Sequence, residues 1–223
     1  MIALKKAEKT AILFGATGLV GQACLRQLVA SPLYGSVIAF TRRPLTLEDP
    51  KITNYNIDFD QLEEYKHLIE GDDLFCCLGT TRQKAGSKDA FRKVDYTYIF
   101  QLAKFASNNG VNQFLLISSI GADKDSMFFY TQVKGQLETA IQLLDFWAIH
   151  IIRPSLLLGQ RKESRLLESL AIRLARTVDN FASDWLGNYR PIEAEQVAKA
   201  MIELAQGMDS GVHIHESSAL QKY

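Results

Sequence analysis

The 223-residue chain is predicted to fold as an α/β protein, a doubly wound and mostly parallel sheet with helices on both faces. Three observations predict it. Short apolar runs alternate with stretches of helical periodicity almost from end to end, the pattern of βα units joined by right-handed crossovers. The runs are apolar throughout rather than alternating, as strands covered on both faces are. The first of them passes straight into Gly15, Gly18 and Gly21, and from there into a helix.

The first strand is read at 10–15, because Thr10–Phe14 is short, apolar and bounded by glycine. A helix over 18–30 follows, with Leu19, Val20, Ala23, Cys24, Gln27 and Leu28 at helical spacing. Strand, glycine turn and helix in that order put backbone N–H groups at a helix N-terminus, where a pyrophosphate binds. The segment reads as a dinucleotide site of the Rossmann kind. The second strand, 36–41, runs into Thr41-Arg42-Arg43-Pro44. An NAD site places Asp or Glu here for the ribose hydroxyls, whereas a guanidinium grips a 2′-phosphate by paired, charge-assisted hydrogen bonds. Arg42 and Arg43 therefore predict NADP(H).

The alternation continues with a strand at 52–57, a helix at 59–69, a strand at 73–78 and a helix at 87–109. A strand at 111–118, a helix at 131–144 and a strand at 147–153 come next. Residues 155–192 break the pattern, with a helix at 164–176 and then a loop carrying Asp184, Trp185, Gly187, Asn188 and Tyr189. Ligands of such sheets sit beyond the carboxyl ends of the strands, so this stretch is expected to be a substrate-side insertion. A helix at 194–206 and a strand at 212–215 complete what reads as a single domain over 1–223.

Composition excludes more than it assigns. Lys plus Arg and Asp plus Glu number 25 each, so no net field would draw in nucleic acid or an anionic membrane. Three cysteines, two of them adjacent at Cys76 and Cys77 in a core strand, do not make a disulfide framework and fit reduced, inert thiols. Lys5, Lys6 and Lys9 before an apolar run and Cys24 imitate a lipoprotein signal, but the glycines inside that run fit the nucleotide turn better. No apolar stretch approaches the length of a membrane span. The expectation is a soluble cytoplasmic protein, monomeric or weakly dimeric. His213 and His215, beside Glu216, offer only two spaced ligands, and no metal is expected.

A second constellation lies further along. Tyr130 and Lys134 are four residues apart, so on a helix they share one face. An ammonium beside a phenol favours the phenolate and brings the pair toward general acid–base work. The apolar strand before them ends in Ser118-Ser119, whose hydroxyls can steady a developing oxyanion. Asp123 to Asp125 read as the start signal of the Tyr130 helix.

The segments GATGLVG, TRRP, FCCLGTTRQKAGS, FRKVDY, SSIGADKDS, YTQVKGQLE and RPSLLLGQRKESR together resemble the short-chain dehydrogenase/reductase superfamily. They resemble most its atypical, Tat-interacting-protein-like (NmrA-related) branch, over about residues 10 to 200. The resemblance implies that Thr17, Gly18, Leu19 and Val20 hold the pyrophosphate and Arg42 and Arg43 the 2′-phosphate. Leu78 and Gly79 would run beside the adenine-side ribose or the nicotinamide linkage, and Asp58 would face the adenine. Tyr130 would be the proton donor or acceptor and Lys134 would bind the nicotinamide ribose, with Leu157 and Arg165 lining the cofactor. The implied activity is NADPH-dependent reduction of a small carbonyl or related substrate. Members with regulatory, non-catalytic roles imply the alternative of an NADP(H)-dependent redox sensor with a protein partner. Two features depart from the superfamily: Tyr130 follows Ser118 by 12 residues and Ser119 by 11, slightly short of the usual interval, and the usual Asn is replaced near Val94-Asp95.

Overall fold

The computed structural model describes residues 8–158 and 187–223; the helix expected at 164–176, with Arg165, lies outside them. Six strands form in the order expected: β1 (Lys9–Phe14), β2 (Tyr34–Thr41), β3 (Ile52–Asn56), β4 (Asp73–Cys76), β5 (Gln113–Ile117) and β6 (Ala148–Arg153). Two short strands, β7 (Leu157–Leu158) and β8 (Ile192–Glu193), and the edge strand β9 (Gly211–Glu216) follow. The main sheet has seven strands in the order β3-β2-β1-β4-β5-β6-β9, and every pairing in it is parallel. The order reverses direction between β1 and β4, and there the crevice at the carboxyl ends of the strands opens.

Helices α1 (Leu19–Ala30) and α7 (Ala194–Leu204) pack together on one face of the sheet, where Leu13, Val20, Cys24, Leu28, Phe75, Leu115, Val197 and Met201 make one core. The opposite face is covered by α5 (Ile99–Asn108) and α6 (Phe129–Ile141), with Ile12, Phe14, Phe40, Leu102, Phe114, Leu137 and Ile141 in a second. Alternate residues of one strand feed the two cores, as the strand period of two requires.

Several boundaries moved for local reasons. The helix expected at 59–69 is a single turn of α-helix, α2 (Leu62–Tyr65), between two 3₁₀ turns. The short helices α3 (Arg82–Ala85) and α8 (Ser217–Leu220) were not expected; α3 has the Thr81 hydroxyl as its cap and ends at Gly86 with φ 80°. The helix expected at 87–109 is α4 (Lys88–Arg92), a π-helical stretch over Lys93–Tyr98, and then α5. Asp123–Asp125 do not start α6: Phe128 is its N-cap, and the Asp123 carboxylate instead closes its own turn by accepting from the Asp125 N–H at 3.0 Å. The stretch 155–192 leaves and re-enters at one point, because β7 pairs with β8 through Leu157 and Ile192.

Candidate functional site

The glycine turn is built by contact as well as by conformation. Gly15 has φ 84°, and a Cβ there would lie 2.5 Å from the Cys77 carbonyl carbon and oxygen. A Cβ on Gly21 would lie 2.0 Å from the Gly15 oxygen, so helix and turn meet backbone to backbone. Gly18 is less crowded, its Cβ position being 3.3 Å from that same oxygen, which accepts the Gly18 N–H at 2.9 Å. Gly18 is the N-cap of α1 and no side chain caps the helix. The first-turn N–H groups are left for a ligand, and a bare backbone leaves room for it. This cradle fits the pyrophosphate of a dinucleotide.

A cleft of about 460 Å³ extends from it. At the β2 end its wall is Phe40, Thr41, Arg42 and Phe59. Its floor is Gly15–Leu19 with Cys77, Leu78 and Gly79, and Thr80, Thr81 and Lys84 rim it. At the far end stand Ile117, Ser118, Tyr130, Lys134, Leu157 and Asp95. The structure thus brings most of the expected residues to one cleft. Gly21 lies beneath the turn, and Arg43, Asp58 and Ser119 are not part of the wall. Asp58 is exposed and caps the following 3₁₀ turn, accepting from the Asp60 N–H at 2.9 Å; the buried Phe59 lines the cleft beside it.

The far end is tightly wired. Tyr130, in the first turn of α6, is 39% exposed and packs on Phe91 with ring centroids 5.5 Å apart. One turn on, Lys134 is buried, its Nζ 2.9 Å from Asp95 Oδ1. Burial is the largest single influence and opposes the lysine's charge, but Asp95, Tyr130 and Cys76 together outweigh it and raise the pKa. The contact is an ion pair off the axis of a good hydrogen bond, since Asp95 Oδ1 has no aligned donor. Oδ2 accepts the Thr80 N–H at 2.8 Å.

Ser118 faces the cleft and donates its hydroxyl to Glu138. Glu138 is held in turn by Arg153 at 2.6 and 3.1 Å, and Arg153 also reaches Glu216 at 2.9 Å. Those carboxylates raise the Arg153 pKa, Glu138 most of all. The Ser119 hydroxyl donates to the Ile120 carbonyl at 3.2 Å. Both serine protons are therefore directed at protein acceptors.

Sequence reasoning missed Asp95 as a site residue, and with it Phe59, Thr80 and the Glu138–Arg153 pair. Asp95 did leave a signal, a carboxylate in the middle of a helix otherwise apolar on that face. Among the described residues no cluster of three or more His, Cys, Asp and Glu side chains has the geometry to hold a metal ion, and no helix is long and apolar enough to cross a membrane.

Residues 15–163 match a family model described as NAD(P)H-binding. The chain is 37% identical over 211 residues to the protein HTATIP2 of Rattus norvegicus, covering 93% of this chain and 85% of that one. It is 38% identical over 203 residues to the mitochondrial protein FMP52-1 of Scheffersomyces stipitis, with 88% of each chain covered. Its fold is similar to that of MoeE5 in complex with UDP-glucose and NAD, with TM-score 0.70 at 16% identity over 92% of this chain and 74% of that one. A UDP-glucose 4-epimerase from Thermotoga maritima gives TM-score 0.69 at 14% identity over 93% and 76%.

Proposed function

This chain belongs to the NAD(P)H-binding family, in the short-chain dehydrogenase/reductase branch of HTATIP2 and FMP52, and we propose that it is an NADPH-dependent reductase of a small carbonyl substrate. One observation carries the reading: Tyr130, Lys134 and Ser118 open into the same cleft as the glycine turn. The turn and Thr17, Gly18, Leu19 and Val20 bind the pyrophosphate; Arg42, with Arg43, takes the 2′-phosphate, and Asp58 serves the adenine end. Leu78, Gly79, Leu157 and Arg165 border the cofactor. NADPH, when bound, supplies a hydride. Tyr130 delivers the proton to the substrate oxygen, Lys134 grips the nicotinamide ribose, and Ser118 or Ser119 steadies the oxygen after turning away from its present acceptor.

Residues 155–192 serve as the substrate wall, because the stretch starts and ends at the β7–β8 pair and Leu157 lines the cleft. The partners are small molecules, with neither nucleic acid nor membrane, and the protein works as a monomer or weak dimer. Three free cysteines suit a reducing compartment such as the cytoplasm; fractionation tests this against the mitochondrion named for the yeast relative.

The direct test is titration with NADPH and NADH, followed by fluorescence and thermal shift. NADPH preference is expected, and removal of Arg42 and Arg43 should weaken NADPH about tenfold or more while leaving NADH unchanged. Tyr130→Phe should then abolish turnover at unchanged cofactor affinity. The engaged serine protons favour one second reading, an NADP(H)-bound redox sensor with little catalysis; Tyr130→Phe would leave such a protein's behaviour untouched.

A further inference from the structure

We infer that Asp95 is the positioning residue of the cleft, the counter-ion that keeps Lys134 protonated and aimed beneath Gly79. The inference rests on the cofactor reading of the same site. A lysine this buried sheds its proton unless a carboxylate answers it. Asp95 and Lys134 are both almost wholly buried, at 1% and 4% side-chain exposure, and their charged atoms are 2.9 Å apart. The Thr80 N–H holds Asp95 Oδ2, and Gly79 leaves Oδ1 room, since a Cβ there would lie 3.2 Å from it and 3.8 Å from Lys134 Nζ.

Asp95 owes its aim to the π-helical stretch Lys93–Tyr98, which contacts both α5 and α6. A wider turn re-aims a side chain that a regular helix would place elsewhere, and such turns are frequent at functional sites. The other groups facing the ammonium do not replace the carboxylate. From β4, burial pushes the Cys76 thiol up to about 12, and the neighbouring Cys77 is raised as well, by the Cys24 thiol first and by burial. Tyr130 lies on the same helix face, Lys84 on the cleft rim is cationic, and Lys88 lies over the Phe129 ring at 5.3 Å. Among these, Asp95 is the one carboxylate. The pair is therefore neutral as a unit, and Tyr130 faces an ion pair rather than a lone ammonium.

The test is Asp95→Asn, with Lys134 titrated by NMR in protein carrying ¹³C,¹⁵N-labelled lysine and assigned against Lys134→Met. The Lys134 midpoint is expected to fall by two units or more in Asp95→Asn and to recover in Asp95→Glu. An unchanged midpoint would overturn the inference, whether or not the protein binds NADPH. NADPH affinity should be flat from about pH 6 to 9 in the native protein and should decline with rising pH in Asp95→Asn; a pH-independent loss would also overturn it. Failure of the native protein to bind NADPH at all would instead sink the cofactor reading and leave the lysine titration standing. If Asp95→Asn does not fold, Asp95→Asn combined with Lys134→Met decides. Recovery of folding marks an uncompensated buried charge and supports the assignment, whereas a double variant that also fails to fold makes Asp95 purely structural.

Discussion

Single residues carry the cofactor turn, and they do so unequally. The spacing of Gly15, Gly18 and Gly21 was legible in the sequence, but which of the three the fold demands was not, because that depends on how closely the turn's own backbone and the residues just after β4 are brought alongside. Gly21→Ala would drive a Cβ to within 2.0 Å of the Gly15 carbonyl oxygen, backbone that cannot yield without opening the turn. We expect it to cost about 2–4 kcal/mol in urea unfolding and to abolish cofactor binding. Gly18→Ala meets that oxygen only at 3.3 Å, so it should fold near-normally and weaken NADPH by crowding the cleft. Equal losses of stability in the two variants would refute this ranking. Arg42 and Arg43 show the same limit, since adjacent arginines look alike in sequence and only Arg42 turns into the cleft.

At the scale of elements, α6 carries Tyr130 and Lys134 to the cleft and Gly135 positions α6. A Cβ on Gly135 would lie 2.2 Å from the Asp123 carbonyl carbon and the Lys124 nitrogen, so the helix lies directly on the loop before it. Gly135→Ala must push α6 off that loop, and Tyr130 and Lys134 move with it. The expected result is a lower melting temperature together with weaker NADPH binding; native affinity in a merely destabilised variant would show that the contact does not set the site. Sequence periodicity found this helix to within a few residues, because its buried stripe repeats with the helical period. It set the start at 131, two residues late, and the start signal read in Asp123 to Asp125 is not one, since Asp123 spends its carboxylate on its own turn. The π-helical stretch was invisible for a related reason. Lys93–Tyr98 keeps helical spacing in the sequence, and the widening exists only in which carbonyl each N–H reaches.

Over the whole molecule, the parallel sheet separates its two ends. The cofactor cleft occupies the carboxyl ends of the strands, while the amino ends are locked by Asp73, which accepts from Lys9 at 2.9 Å, Tyr34 at 2.6 Å and Gln113 at 2.9 Å. The fold class was legible because strands covered on both faces are apolar throughout. The edge strand β9 was expected at 212–215, but the histidine cluster it makes with β6 was not, since His150 and His215 are 65 residues apart and meet only through strand register. His150 Nδ1 lies 3.1 Å from His215 Nε2, and the ring stacks on His213 with centroids 5.3 Å apart. Burial first, and then His215 and His213, push the His150 pKa down to about 4 against an opposing pull from Asp209. His215 is lowered in the same direction, by burial and His213. An unfolded histidine takes up its proton below about pH 6.5, while folded His150 waits until about 4. In that window the unfolded chain binds more protons, so stability is lost as the pH falls from 6.5 toward 4. The loss should be on the order of 2 kcal/mol after allowance for solvent screening. Urea unfolding across this range, compared with His150→Gln, checks it: the variant should lose less stability on acidification than the native protein. Parallel pH profiles for the two proteins would mean that acid sensitivity is set by carboxylates elsewhere and that the β6–β9 edge plays no part in it.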